Sequence, residues 1–170
     1  MTGRATRVLG IDTSLRSTGL GVVESTGNRL RAVRFDTVKS PARAPLSRCL
    51  QRLGAEIRTL IEQTAPDAAA VEGVFFCKNV KTAVVLGEAR GAAIAACADR
   101  EIPVYEYAPR RVKQAVVGFG SADKKQVRAM VATLLALPEE PQEDAADALA
   151  VAICHLHNLP GHGLLMPEPI

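Results

Sequence analysis

Four acids in this 170-residue chain have the types and spacing for metal chemistry. Asp12 closes the apolar run VLGID, Glu72 closes AAAVE, and Asp144 and Asp147 open DAADALA. Three of the four sit in apolar surroundings, where a solvated surface acid is out of place. Asp12 and Glu72 each end a segment that reads as a strand, and ligand sites in open α/β sheets gather beyond the carboxyl ends of strands. Asp144 and Asp147 are three residues apart, so they share one face at the start of a helix. If that helix crosses the sheet, four carboxylates converge. Their repulsion in a partly dry site requires shared protons or bound cations. Hard oxygen ligands at this density suit Mg²⁺ or Mn²⁺. Two such ions about 4 Å apart can activate a water and steady a leaving 3′ oxygen in phosphodiester hydrolysis. The plain alternative stays open at this point: Asp after a strand is a turn former, and Asp144 with Asp147 complements a helix N-terminus.

Elements able to position these acids follow in order. Residues 5–12, 18–26 and 29–38 read as three strands, the last two joined by a turn at Thr26–Asn28, which makes an antiparallel meander. From Pro45 to Thr64, Leu46, Leu50, Leu53, Ile57, Leu60 and Ile61 recur at helical spacing. A short strand at 67–72, a small-residue helix at 80–100 and an alternating strand at 102–107 come next. Pro109 opens a short basic helix, GFGSADKK (118–125) is a loop leading to a helix at 123–136, and a last helix starts near residue 141. This order of strands and helices predicts an α/β fold: a mixed five-stranded sheet, antiparallel meander then parallel strands, with helices on both faces. Residues 1–158 form one domain in this reading and 159–170, rich in Pro and Gly, a flexible C-terminal tail. His155 and His157 follow Asp147 by about 12 Å along the helix axis and read as structural. Glu88 reads as a structural partner of Arg90 on its own helix.

Hydrophobic residues make up 48% and charged residues 23%, a globular balance that excludes a disordered chain. Cys49, Cys77, Cys97 and Cys154 form no CxxC pair, which argues against zinc and against a disulfide framework. No apolar stretch reaches the roughly 20 residues a membrane span needs, and the first apolar run meets Asp12 too soon for a signal peptide. A cytoplasmic protein with no membrane partner is expected. With the four acids set aside, 14 acids face 21 bases over the rest of the chain, a bias suited to phosphate contacts. Arg110, Arg111 and Lys113, then Lys124 and Lys125, concentrate that bias. Arg110 and Arg111 suit positioning contacts to a DNA backbone rather than base reading, and Lys78 and Lys81 suit the same. Phe75 and Phe76, two of six aromatics, follow Glu72 closely; on a strand one ring enters the core while the other faces out.

The blocks VLGIDTSLRSTGLGVV, VEGVFFCKN, LGEARGAA, VYEYAPRRVKQAVVGFGSADKKQV and DAADALAVAICH resemble, in order from about residue 7 to 157, those of the RuvC family of Holliday-junction resolvases. The resemblance implies a ribonuclease H-like fold and a homodimeric endonuclease that nicks two opposed strands of a four-way DNA junction, leaving 5′-phosphate and 3′-hydroxyl ends. It implies that Asp12, Glu72, Asp144 and Asp147 are catalytic and hold two Mg²⁺ (or Mn²⁺) ions. Lys113 and Lys124 are similar to basic residues that touch the scissile region. Phe75 is similar to an aromatic that stacks on an unpaired base; Phe76, Lys78, Arg110, Arg111 and Lys125 complete the expected DNA contacts. A branch-migration motor complex is an implied partner. The chain departs from the family in two places. Thr13 and Ser14 replace a common Pro-Gly, which relaxes the turn beside Asp12, and Gly73 replaces a common Gln. The small residues Ala83, Gly87, Gly91, Ala92, Ala95 and Ala96 of the 80–98 helix suit either a dimer seam or tight packing on the sheet. Three rivals stand beside this reading. An actin-like ATPase or sugar kinase would need two such domains, a junction-binding protein without chemistry leaves the four acids unexplained, and another nuclease of the same fold is separated by the basic 110–125 segment with Phe75.

Overall fold

The computed structural model describes residues 4–73, 79–159 and 166–170. Its sheet has five strands: β1 (Thr6–Asp12), β2 (Ser17–Thr26), β3 (Arg29–Lys39), β4 (Ala68–Glu72) and β5 (Val104–Tyr107), in the order β3-β2-β1-β4-β5. The β1–β2 and β2–β3 pairs are antiparallel, and β1–β4 and β4–β5 are parallel. Five helices complete the fold: α1 (Leu46–Thr64), α2 (Val80–Ala98), α3 (Pro109–Val117), α4 (Lys124–Leu134) and α5 (Glu143–His157). This is the mixed sheet expected from sequence, with the predicted element boundaries displaced by two residues or fewer at most ends.

Alternation along the strands divides the core in two. Leu9, Ile11, Leu20, Val22, Ala69 and Val71 face α1 and α2. Val8, Val23, Ala70 and Tyr107 face α5, over which α3 and α4 are laid. From Ala145 to Leu156 every residue of α5 except Asp147 is buried, because this helix has the sheet on one side and two helices on the other. A surface helix needs one apolar stripe; this one is apolar nearly all round.

α5 lies unusually close to the strands, and three glycines explain why. Gly10 on β1 is paired with Gly21 on β2, and Gly19 is paired with Asp12. A Cβ at Gly10 would lie 1.9 Å from the Ala148 carbonyl oxygen, and one at Gly19 would lie 1.8 Å from that of Asp144. At Gly21 it would reach the Leu149 side chain at 2.8 Å. The helix backbone therefore rests on bare strand backbone, which only glycine permits.

The turn after Asp12 is not loose. The Ser14 amide donates to Thr18 Oγ1 at 3.1 Å, and the Thr18 hydroxyl donates back to the Ser14 carbonyl. This reciprocal pair fixes the 13–17 segment in place of the missing Pro-Gly. Arg90 also departs from expectation: its ion pair is with Glu106 on β5, while Glu88 is exposed.

Candidate active site

Asp12 is the last residue of β1 and Glu72 the last of β4. Parallel pairing brings Ile11 beside Val71, so the two acids end neighbouring strands at the same edge. Both belong to the alternation that faces α5. That helix begins at Glu143 and delivers Asp144 and Asp147 from its first turns, its N-terminal end set against β1 and β2 by the glycine contacts. Asp12, Glu72, Asp147, Lys113 and Lys124 line one cleft of about 270 Å³ with Pro109, Val112, Val127 and Ala150.

The lysines are positioned by their own helices. Pro109 starts α3, Val112 and Val116 are buried, and Lys113 is thereby directed into the cleft. Asp123 and Gln126 form a reciprocal capping box that fixes the start of α4, so Lys124 is its first residue. Lys124 Nζ lies 2.5 Å from Glu143 Oε1 and 3.4 Å from Asp147 Oδ2. The contact with Glu143, then the charge of Asp147, raises the Lys124 pKa and keeps it cationic.

Electrostatically the cleft is crowded. Burial, then the charges of Asp147, Glu72 and Asp144, push the Asp12 carboxyl up to about 7. Glu72 is raised by burial and by Asp147, against the opposing pull of Lys124 and Lys113. Asp147 is raised by burial, with Lys124 opposing. A site that is this unfavourable for its own negative charges has the donor chemistry for hard divalent cations. It is not a closed cage, since among the described residues no three His, Cys, Asp or Glu side chains stand close enough to enclose one ion. Two of the acids point to other partners: Asp144 accepts from the Ser17 hydroxyl and Asp147 from Lys124. Their oxygens are hard donors on rigid strand and helix ends, which is the donor set that divalent cations take.

Other expected site residues are distributed differently. Arg110 is exposed, its stem packed on Gly120. Arg111 binds Asn158 and lies over the Tyr107 ring, 5.6 Å from its centroid. Lys125 is exposed on α4. Phe75, Phe76 and Lys78 lie outside the described residues. His155 is buried and bonded to the Tyr107 hydroxyl at 2.9 Å, with burial holding its pKa down at about 4; it is structural. Sequence reasoning missed Ser17, Glu143 and the glycines. The first two had no signal, since their relevance depends on which side chain they meet. The glycines had one: Gly10, Gly19 and Gly21 fall at alternate strand positions ahead of a helix rich in alanine.

A sequence model described as crossover junction endodeoxyribonuclease RuvC matches residues 8–155. The crossover junction endodeoxyribonuclease RuvC of Chloroflexus aggregans is 50% identical over 155 residues, covering 91% of this chain and 94% of its own. The chain belongs to the RuvC family. The relative of the same name from Actinobacillus succinogenes is 49% identical over 154 residues, covering 91% of this chain and 80% of its own. Among solved structures, Thermus thermophilus RuvC in complex with a Holliday junction substrate is similar, with a TM-score of 0.89 and 34% identity. That match covers 97% of this chain and 99% of the Thermus chain. The yeast mitochondrial Holliday junction resolvase Ydc2 shares the fold, with a TM-score of 0.61 at 12% identity.

Proposed function

We propose that this RuvC-family chain resolves four-way DNA junctions as a metal-dependent endonuclease, nicking opposed strands to leave 5′-phosphate and 3′-hydroxyl ends. The observation that carries this reading is the single cleft holding Asp12, Glu72 and Asp147 with two lysines, with Asp144 near enough for its charge to act on Asp12. Asp12, Glu72, Asp144 and Asp147 would hold two divalent cations, Mg²⁺ foremost with Mn²⁺ as the alternative. Bound there, the ions would polarise the phosphate and make a water nucleophilic at neutral pH. The acids orient their oxygens from rigid strand and helix ends. Lys113 and Lys124 offset charge that builds on the phosphate, Lys124 once it leaves Glu143. Arg110 and Arg111 on α3 and Lys125 on α4 belong to the helices that supply the cleft's lysines and would contact the DNA backbone. Phe75 is assigned to an unpaired base near the crossover by the family resemblance, and Phe76 and Lys78 to further DNA contacts, Lys78 with the backbone.

A homodimer matches the two-fold symmetry of a four-way junction. Its support here is the outer face of α2, where Val80 and Val84 are 81% and 54% exposed. A Cβ at Gly87 or Gly91 would meet nothing within 4 Å. Ala93 and Ala96 instead face the core, so the small residues divide between the two uses. A branch-migration motor is a partner by resemblance. We assign residues 1–158 to one nuclease domain and 159–170 to a tail, whose final amide, Ile170, donates to the Val104 carbonyl at 2.9 Å. No helix among the described residues is long and apolar enough to cross a membrane; action on DNA in the cytoplasm completes the proposal.

The test is cleavage of a mobile four-way junction beside a linear duplex and an RNA–DNA hybrid, with Mg²⁺, Mn²⁺ or EDTA, using wild type and Asp12→Asn. Paired nicks confined to the junction, lost with EDTA and in the variant, are expected. Junction binding with no cutting under any metal, or preferential cutting of the hybrid, would overturn the reading.

A further inference from the structure

The loop that joins α3 to α4 carries an exposed aromatic ring that no part of the site uses. Phe119 is 45% exposed, flanked by Gly118 and Gly120. Covering a ring of this size removes apolar surface from water, so it is available as a contact for a partner. The backbone around it is fixed. Gly118 is the left-handed cap of α3 at φ 97°, its amide bonded to the Gln114 carbonyl at 2.9 Å. A Cβ at Gly120 would strike the Arg110 stem at 2.3 Å, and Ala122 is buried. Four residues after Phe119 the capping box at Asp123 sets the start of α4.

The loop's two helices are the ones that supply Lys113 and Lys124 to the acidic cleft. From Ala108 to Arg128 the sequence holds six basic residues, Arg110, Arg111, Lys113, Lys124, Lys125 and Arg128, against one acid. That acid, Asp123, accepts from the Gln126 amide at 2.8 Å. Lys124 and Arg128 meet Glu143 and Glu140 from beyond this segment, while Arg110 and Lys125 stay exposed on the two helices that flank the loop. Their charge suits a polyanion, and a neutral apolar ring between those helices fits the π-face of a base or the face of a sugar better than it fits a phosphate.

We propose that Phe119 is a DNA-contact residue that packs against a nucleotide of the junction arm leaving the cleft, adding a non-ionic contact to the ionic ones of its basic flanks. The inference rests on the junction reading above, and the experiment separates the two. The chain has no tryptophan, so Phe119→Trp introduces a single fluorophore at the proposed contact. In EDTA, which blocks cutting, the emission of Phe119→Trp is expected to be quenched saturably by a four-way junction, with wild-type affinity. Phe119→Ala is expected to lose at least about fivefold in junction affinity, as removal of a stacking ring does. Its log-affinity against log-salt slope should stay unchanged, because no phosphate contact is lost. Its melting temperature should match wild type. Unchanged Trp emission at saturating junction, or Phe119→Ala affinity within twofold of wild type, overturns the proposal while leaving junction recognition intact. A fall in the melting temperature of Phe119→Ala alongside the affinity loss would also overturn it, marking a packing role. Failure of wild type itself to bind the junction would remove the junction reading first.

Discussion

At Asp12 two demands on one carboxyl conflict. The fold buries it beside three other acids, which holds its pKa at about 7, whereas the proposed chemistry needs it ionised. Between the ordinary carboxylate range near 4 and about 7, the folded state therefore binds a proton that the unfolded chain has released. Stability of the metal-free protein from this group falls as pH rises through that window. Glu72 and Asp147 act in the same direction. His155 acts oppositely, since its lowered pKa means acid protonates the unfolded state first. Asp12→Asn removes the Asp12 contribution and keeps those of Glu72, Asp147 and His155. The variant is expected to melt above wild type at pH 8 without metal, with the gain gone near pH 4, as read by calorimetry. Equal melting temperatures at pH 8 would show that Asp12 is not electrostatically stressed. Mg²⁺ or Mn²⁺ should raise the wild-type melting temperature at pH 8 by mass action, less at pH 5.5 where protons compete, and much less in the variant. Asp12→Asn should also cut junctions at least about a thousandfold more slowly, the loss of several kcal/mol of charge stabilisation.

Between elements, the decisive contact is α5 against β1 and β2. The acids of α5 meet those of the strands only because three glycines let the helix backbone touch the sheet. Gly10→Ala would force a methyl into the Ala148 carbonyl, which only movement of the whole helix can relieve. Overpacking of this kind costs about 1–3 kcal/mol, and more where backbone must move. Chemical denaturation of Gly10→Ala and Gly19→Ala should show losses of that order, and a loss under 1 kcal/mol would mean the helix has room to move. By contrast, Gly91→Ala faces open space on α2 and should leave the isolated fold unharmed. Lys124 belongs to this scale too, because the Asp123 cap decides where it stands. Lys124→Gln should slow cleavage by about a hundredfold, the usual cost of one charge-stabilising donor, with little change in melting temperature.

For the molecule as a whole, the outer face of α2 is the proposed seam of a dimer that would match the junction's symmetry. A charge placed at Val84, which is 54% exposed, would be tolerated by the monomer and rejected by a helix-to-helix seam. Val84→Glu is expected to fold normally and, in light scattering, to change the mass from twice 18.0 kDa to 18.0 kDa. Its nicks on a junction should become single and unpaired. A wild-type protein that is already monomeric at micromolar concentration would discard α2 as the seam.

Much of this molecule was readable in one dimension. Hydrophobic periodicity is a local property, so the strands, the five helices and their order followed from it. The acids at strand ends and at the start of α5 stood out because carboxylates in LGID, AAVE and AADALA contradict their apolar neighbours. The blocks of residues in sequence order pointed to the family. What remained was contact between distant segments. That Ser17 bonds Asp144, that Glu143 shares Lys124 with Asp147, and that Arg90 pairs with Glu106 rather than Glu88 depends on where helices settle on the sheet. The tertiary structure also decided that Asp12 should be stressed at all, because the pKa of a carboxyl is set by burial and by charges brought to it from residues far away in the chain. Sequence names the groups and their local elements; only the close approach of α5 to bare glycine backbone turns four separate acids into one site.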